Sequence, residues 1–412
     1  MGAGRGNAGR FARGRLPASF RSEKAVFALV VLLGLIAFLP GWAGTEWPLG
    51  LESVPCFVVG YLYLRHIGLA ALTALAALPA TVGQFAVPST PDTAALFALS
   101  YGLAFSIALF VADGISLRIA EGSAPAAAAT GTLRGMAAQI FFCIVAGVAI
   151  LTILSSMSKG GAFRAAAFAE CVGCVSGALG VALGASLLSF DEDFVARTNR
   201  IRERRERWSF YLVQVAGPGF RWGVVGIAVL WLVLGVYGVA SSHATWSDDA
   251  WASLSVSVLV CFAVCLAAFR DWRPAFATTL SLLPAAVSGI WALEHAATSP
   301  AFPVVGAIAE TQVVGMAIVL LSINSTDLFI SPLAVVLECG IERKAALAIY
   351  ACVATTLALL PLYALNDTLV LPLVVAILGA GTGAILFQPA FAAAVESLTQ
   401  RREVTGTRYQ TS

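Results

Sequence analysis

The segment VGMAIVLLSINSTDLFISPLAVVLE, residues 314–338, is an apolar run that carries Asn324, Ser325, Thr326 and Asp327 near its middle. About 20 apolar residues in a helix cross a bilayer, so the run reads as a transmembrane span with a polar cluster at its centre. An ionised carboxylate at that depth costs several kcal/mol unless it finds a partner, water or a proton, which makes Asp327 a functional-site candidate by default. Pro332 follows Asp327 by about a turn and a half; it leaves a carbonyl one turn earlier without its donor and bends the helix there. Two readings of the cluster stand side by side: a proton-handling site, or polar groups satisfied by a neighbouring helix for packing alone.

The rest of the chain agrees with a bilayer as its solvent. Of 412 residues, 59% are hydrophobic and only 12% charged, and the mean hydropathy is +0.87. That composition excludes a soluble enzyme and gives an all-α polytopic membrane protein. Apolar stretches separated by charged or turn-rich breaks predict twelve spans, at roughly 25–41, 50–64, 67–87, 94–116, 133–156, 163–189, 222–240, 250–269, 274–296, 314–337, 345–364 and 369–392. Threaded alternately from a cytoplasmic N-terminus, they leave only Lys159 and Arg164 of the 25 Lys and Arg residues outside. That asymmetry supports the orientation, with both termini cytoplasmic, because positive charge stays inside. The breaks on the outer side are brief, with Gly41 to Leu49 and Ser241 to Asp249 typical, and hold no extramembrane domain.

The expected organisation is a basic tail over 1–24, a first six-helix repeat over 25–190, a cytoplasmic connector over 191–220, a second six-helix repeat over 221–395 and a tail over 396–412. In the connector, Phe194, Val195, Ile201, Trp208 and Tyr211 interleave with six arginines, as in an interfacial amphipathic helix or a solvated linker. The repeat rests on LRHIGLAALTALAALPATVG (64–83) matching FRDWRPAFATTLSLLPAAVS (269–288), which sets Arg65 on Arg270 and Pro79 on Pro284 without a gap. Arg134 to Cys143 falls on Arg343 to Cys352 at a slightly larger offset. Such a parallel repeat places a substrate or ion site between the halves.

Several segments resemble the transmembrane part of the resistance-nodulation-division superfamily, in the branch of mycobacterial-membrane-protein-large and hopanoid or lipid exporters. They are FRDWRPAFATTLSLLPAAVSGIWAL (269–293), similar to the start of that family's ninth span, and LRIAEGSAPAAAATGTLRG (117–135), similar to the loop after its fourth. VATTLALLPLYAL (353–365) and ILGAGTGAILFQPAF (377–391) add to the resemblance. It implies a bacterial inner-membrane exporter driven by protons. Two departures stand out: the family's large periplasmic domains have no counterpart between the first and second or the seventh and eighth spans, and the fourth span presents Phe105, Ser106 and Ile107 where the family carries acids. The nearest acid, Asp113, is two turns nearer the cytoplasm.

By the same resemblance Asp327 or Asn324 falls near the mid-membrane acid or lysine of the tenth span, with Thr355 and Thr356 of the eleventh as relay partners. Glu170 lies about 12 Å into the sixth span by helical rise; it reads as a second protonatable site or as a partner of Arg164 at the outer interface. Asp113 reads as a residue of the inner water boundary facing Arg118 or the helix end. Cys171 and Cys174 are expected to be buried packing residues, and with three histidines in the chain no metal site and no cofactor is expected. No glycine loop precedes a lysine to hold ATP. The expected function is movement of a hydrophobic or lipid-like substrate, with membrane lipids as partners, no nucleic acid, a possible homo-oligomer through glycine-lined faces, and no enzymatic constellation. The rival is a non-transporting scaffold or sensor that docks a separate periplasmic partner protein.

Overall fold

In the computed structural model, the residues described are 53–81, 91–157, 162–201, 203, 220–241, 248–270, 272, 275, 276, 279, 287, 350, 353, 354, 356–358, 378 and 379. They form helices and no strand. In chain order these are α1 (Ser53–Leu64), α2 (Ile67–Ala76), α3 (Pro91–Ala120), α4 (Pro125–Met157), α5 (Ala162–Leu187), α6 (Arg221–Ser241) and α7 (Asp248–Phe269). Among the described residues two stretches, Leu96–Ala120 and Phe163–Leu187, are long and apolar enough to cross a membrane. A third forms if Pro125–Ala138 and Ile140–Ile153, bent by 47° against each other, are one span. The described residues are thus helical throughout apart from turns, and the chain is a membrane protein.

Helix boundaries follow from local chemistry. Pro79 lacks an N–H and crowds the residue before it, so regular α-helix stops at Ala76 and the chain continues as a 3₁₀ turn, in which Ala80 N donates to Ala77 O at 3.0 Å. The continuous helix expected over 67–87 is therefore interrupted. The loop expected over 117–132 shrinks to four residues, Glu121 to Ala124. Gly122 takes φ +93°, Gly122 N donates to Ile119 O and Ser123 N to Arg118 O, which closes α3 in a Schellman motif. Pro125 then opens α4 at the position where a missing N–H is harmless, and the alanines behind it propagate the helix.

Helix α3 is the centre of the bundle. It packs against α1, α2, α4 and α5, and Phe97, Tyr101, Phe105, Leu109 and Ile115 are fully buried. Small residues bring the helices close: a methyl added at Gly177 of α5 would lie 3.0 Å from Ala104 O of α3, and one at Gly180 would lie 2.9 Å from Ala76 Cβ. Ser176 Oγ on the same face donates to Ala76 O at 2.7 Å, and Tyr101 Oη donates to Ala74 O at 3.0 Å. The opposite face of α5 exposes Phe168, Val172, Val175, Leu179, Leu183 and Leu187. Apolar outside and close-packed around small residues inside, the helix is built for lipid contact.

The two arginines aligned by the sequence repeat share one backbone device. Arg65 and Arg270 each take φ 54° directly after a helix ends, and each N–H donates to the carbonyl four residues back, Tyr61 O at 2.8 Å and Leu266 O at 2.9 Å. This is the single-bond αL cap, normally given to glycine. The register continues upstream of the aligned segments: Cys56 and Cys261 are both fully buried, as are Ala70 and Ala275 downstream.

A carboxylate on the α4–α5 seam as the candidate functional site

Helix α5 carries its one acid into the bundle. Glu170 is 1% exposed, and its carboxylate packs on Gly147 of α4, occupying the space a side chain there would need. Gly147 is therefore the floor of the acidic site: only a residue without Cβ lets the carboxylate lie flat against the neighbouring helix. Arg164, the alternative partner of Glu170, donates from Nε to Ser155 Oγ of α4 at 2.9 Å, one to two turns toward the start of α5. A carboxyl buried inside an apolar span is the residue type that marks a candidate proton site in a membrane protein.

Asp113 is buried, 2% exposed, on the same helix as Arg118. Its turn of α3 faces the start of α4: a methyl at the adjacent Gly114 would sit 2.6 Å from Thr132 Cγ2, and the Arg118 guanidinium lies over Gly131, 2.8 Å from the place of a Cβ. Thr132 Oγ1 is buried there with no hydrogen-bond partner among the described residues. Gly177 is level with Ala104 to Ala108 on the parallel helix, so Glu170 and Asp113 stand about 20 Å apart along the bundle by helical rise. The fold does not bring these two acids together. Ser106 donates to its own helix, to Gly102 O at 2.8 Å.

Of the two threonines expected as relay partners, Thr356 is buried. Its segment packs against α1: Cys56 Sγ donates to Ala354 O at 3.5 Å, and Tyr63 meets Tyr350 edge to face at 4.9 Å. Asp327, Asn324, Ser325, Thr326 and Thr355 lie outside the described residues. Among the described residues no three His, Cys, Asp or Glu side chains converge as metal ligands. Gly147 was not singled out by sequence reasoning, although a signal existed. Carried four residues past Cys143 and Cys352, the repeat register sets Thr356 against Gly147.

No family model matches this sequence, and no curated protein sequence matches it. Among solved structures the chain is similar to SecDF in a super-membrane-facing form, at a TM-score of 0.46 and 14% identity over 94% of this chain and 64% of that one. It is also similar to SecDF, a translocon-associated membrane protein from Thermus thermophilus, at a TM-score of 0.40 and 15% identity over 92% of this chain and 62% of that one. The chain thus spans less than two thirds of the length of these SecDF chains. At these scores the likeness carries no residue correspondence and no function.

Proposed function

We propose that this protein is a proton-coupled membrane transporter that moves a hydrophobic or lipid-like substrate, as the resemblance to lipid exporters implies. The observation that carries the proposal is the Glu170 carboxylate set against Gly147 inside a bundle whose outer faces are apolar. A charge is costly there in either helix, and evolution has cheaper ways to fill such a space with a methyl group. A protonation site explains why an acid stands there and why its neighbour has no side chain. Asp327, on the span with the Asn324, Ser325 and Thr326 hydroxyl and amide groups, supplies the second candidate of the same pathway.

The scaffold reading is favoured by a different observation. The middle of α3, where an exporter of this kind would carry its acids, holds Phe105 and Ile107 in the core and a Ser106 hydroxyl already bonded to Gly102. One experiment separates the two. With protein reconstituted in vesicles containing fluorescent phosphatidylglycerol, an imposed pH gradient drives redistribution of the probe between leaflets by a transporter. The drive is expected to vanish in Glu170→Gln and in Asp327→Asn, while both variants still fold. Redistribution that ignores the gradient, or that persists unchanged in both variants, overturns the proposal in favour of the scaffold.

A further inference from the structure

The surface of α1 and the surface of α7 are built to one plan. On α1, Val54, Val58 and Leu62 are exposed at spacings that put them on one face, and exposed Arg65 continues that face beyond the helix end. On α7 the positions matched by the repeat register, Leu259, Ala263, Ala267 and Arg270, are exposed in the same way. From the first apolar residue to the arginine is about 16 Å by helical rise, close to the ~15 Å depth of one leaflet's hydrocarbon. Trp272, 58% exposed two residues past Arg270, is the residue type that marks the headgroup level.

We propose that each of these faces seats an anionic phospholipid, its acyl chain along the apolar stripe and its phosphate on the left-handed arginine, so that the chain carries two matched lipid sites. A left-handed position after a helix is the natural place for glycine, and Gly122 fills it at the end of α3. Arginine stands there twice, and both times the stripe above it is apolar and uncovered. A cation at a helix C-terminus also complements the helix dipole. That effect needs no apolar stripe one leaflet long, and it is equally available to the exposed residues of the preceding turn. Guanidinium recognises phosphate by paired hydrogen bonds and stays charged, which makes phosphate the matching headgroup chemistry. The inference rests on the membrane setting alone, independently of transport.

The test uses the full chain purified in detergent, with phosphatidylglycerol or phosphatidylcholine added back. Native mass spectrometry is expected to retain two phosphatidylglycerol molecules per chain, and phosphatidylglycerol is expected to raise the melting temperature where phosphatidylcholine does not. In the double variant Arg65→Gly, Arg270→Gly both bound lipids and the shift disappear, while the lipid-free melting temperature holds or rises because glycine suits the backbone. The matched Arg65→Lys, Arg270→Lys pair keeps a weakened shift. Equal retention and equal shift in the glycine pair overturn the proposal, and so does a shift reproduced by phosphatidylcholine or by inorganic phosphate alone.

Discussion

Arg65 and Arg270 hold the same left-handed backbone, φ 54° in each, and close the preceding helix with the same amide-to-carbonyl bond. For a residue with a Cβ that conformation costs roughly 1–2 kcal/mol, of which a cation at a helix end returns about 0.3–1 kcal/mol. Arg65→Gly is therefore expected to stabilise the lipid-free protein by up to ~1 kcal/mol, and Arg65→Ile to destabilise it by about 1 kcal/mol or more, since β-branching worsens the same clash. Unfolding in mixed detergent micelles reads both. Changes of the same sign in the two variants would show that the arginine side chain, and not its backbone, sets the stability of the corner.

The Glu170–Gly147 contact makes a double-mutant prediction. Gly147→Ala drives a methyl into the carboxylate and is expected to destabilise by about 1–3 kcal/mol, as overpacking in a filled core does. Combined with Glu170→Ala, which vacates that space, the same substitution should cost much less, with a coupling of roughly 1 kcal/mol or more. Additive effects in the cycle would mean that the two side chains do not share the space. The proposed gradient-driven redistribution of lipid is expected to fall in Gly147→Ala, its wild-type carboxylate displaced.

The sequence made the bilayer legible because a lipid solvent constrains composition so strongly: long apolar runs needed no structure. It also pointed to Glu170, since an acid inside an apolar run is conspicuous. What it could not show was the partner surface. Gly147 is one glycine among many in apolar sequence, and only the antiparallel packing of α4 on α5 sets it beneath the carboxylate. The helical start of α4 was missed for a related reason: PAAAATGTLRG combines a good helix opener with loop-like glycines and threonines, and the closure at Gly122 leaves the alanines free to win. Arg65 was visible as a repeat position, but nothing in a sequence announces φ +54° at an arginine.

His66 ties the corner after Arg65 to the segment that follows α5. Its Nδ1 accepts from Leu69 N at 3.1 Å as the N-cap of α2, and its ring lies 5.0 Å from Phe190 and 5.1 Å from Phe194. His66→Ala loses both the cap and the ring contacts and is expected to cost about 1–2 kcal/mol. His66→Asn, which restores the cap without the aromatic contacts, should recover part of that loss. Limited proteolysis of the connector following Phe194 offers an independent readout: faster cleavage in His66→Ala than in His66→Asn is expected, and equal rates would disconnect the ring cluster from the connector.

Glycines on the two faces of the bundle should respond to alanine with opposite signs. At Gly173 of α5 an added methyl meets Ala80, with Ala80 Cα at 2.8 Å and its N at 2.9 Å. Backbone atoms in a 3₁₀ turn fixed by Pro79 cannot swing aside, so Gly173→Ala is expected to destabilise by about 1–3 kcal/mol. At Gly226 of α6 nothing lies within 4 Å of the added methyl. There alanine gains helix propensity without a clash, and Gly226→Ala is expected to stabilise by up to ~1 kcal/mol. Denaturation of the two variants side by side checks the packing of α5 on the α2 corner. A loss at Gly226 as large as that at Gly173 would mean that the exposed face of α6 is covered by another helix, because only a close neighbour can make a surface methyl costly.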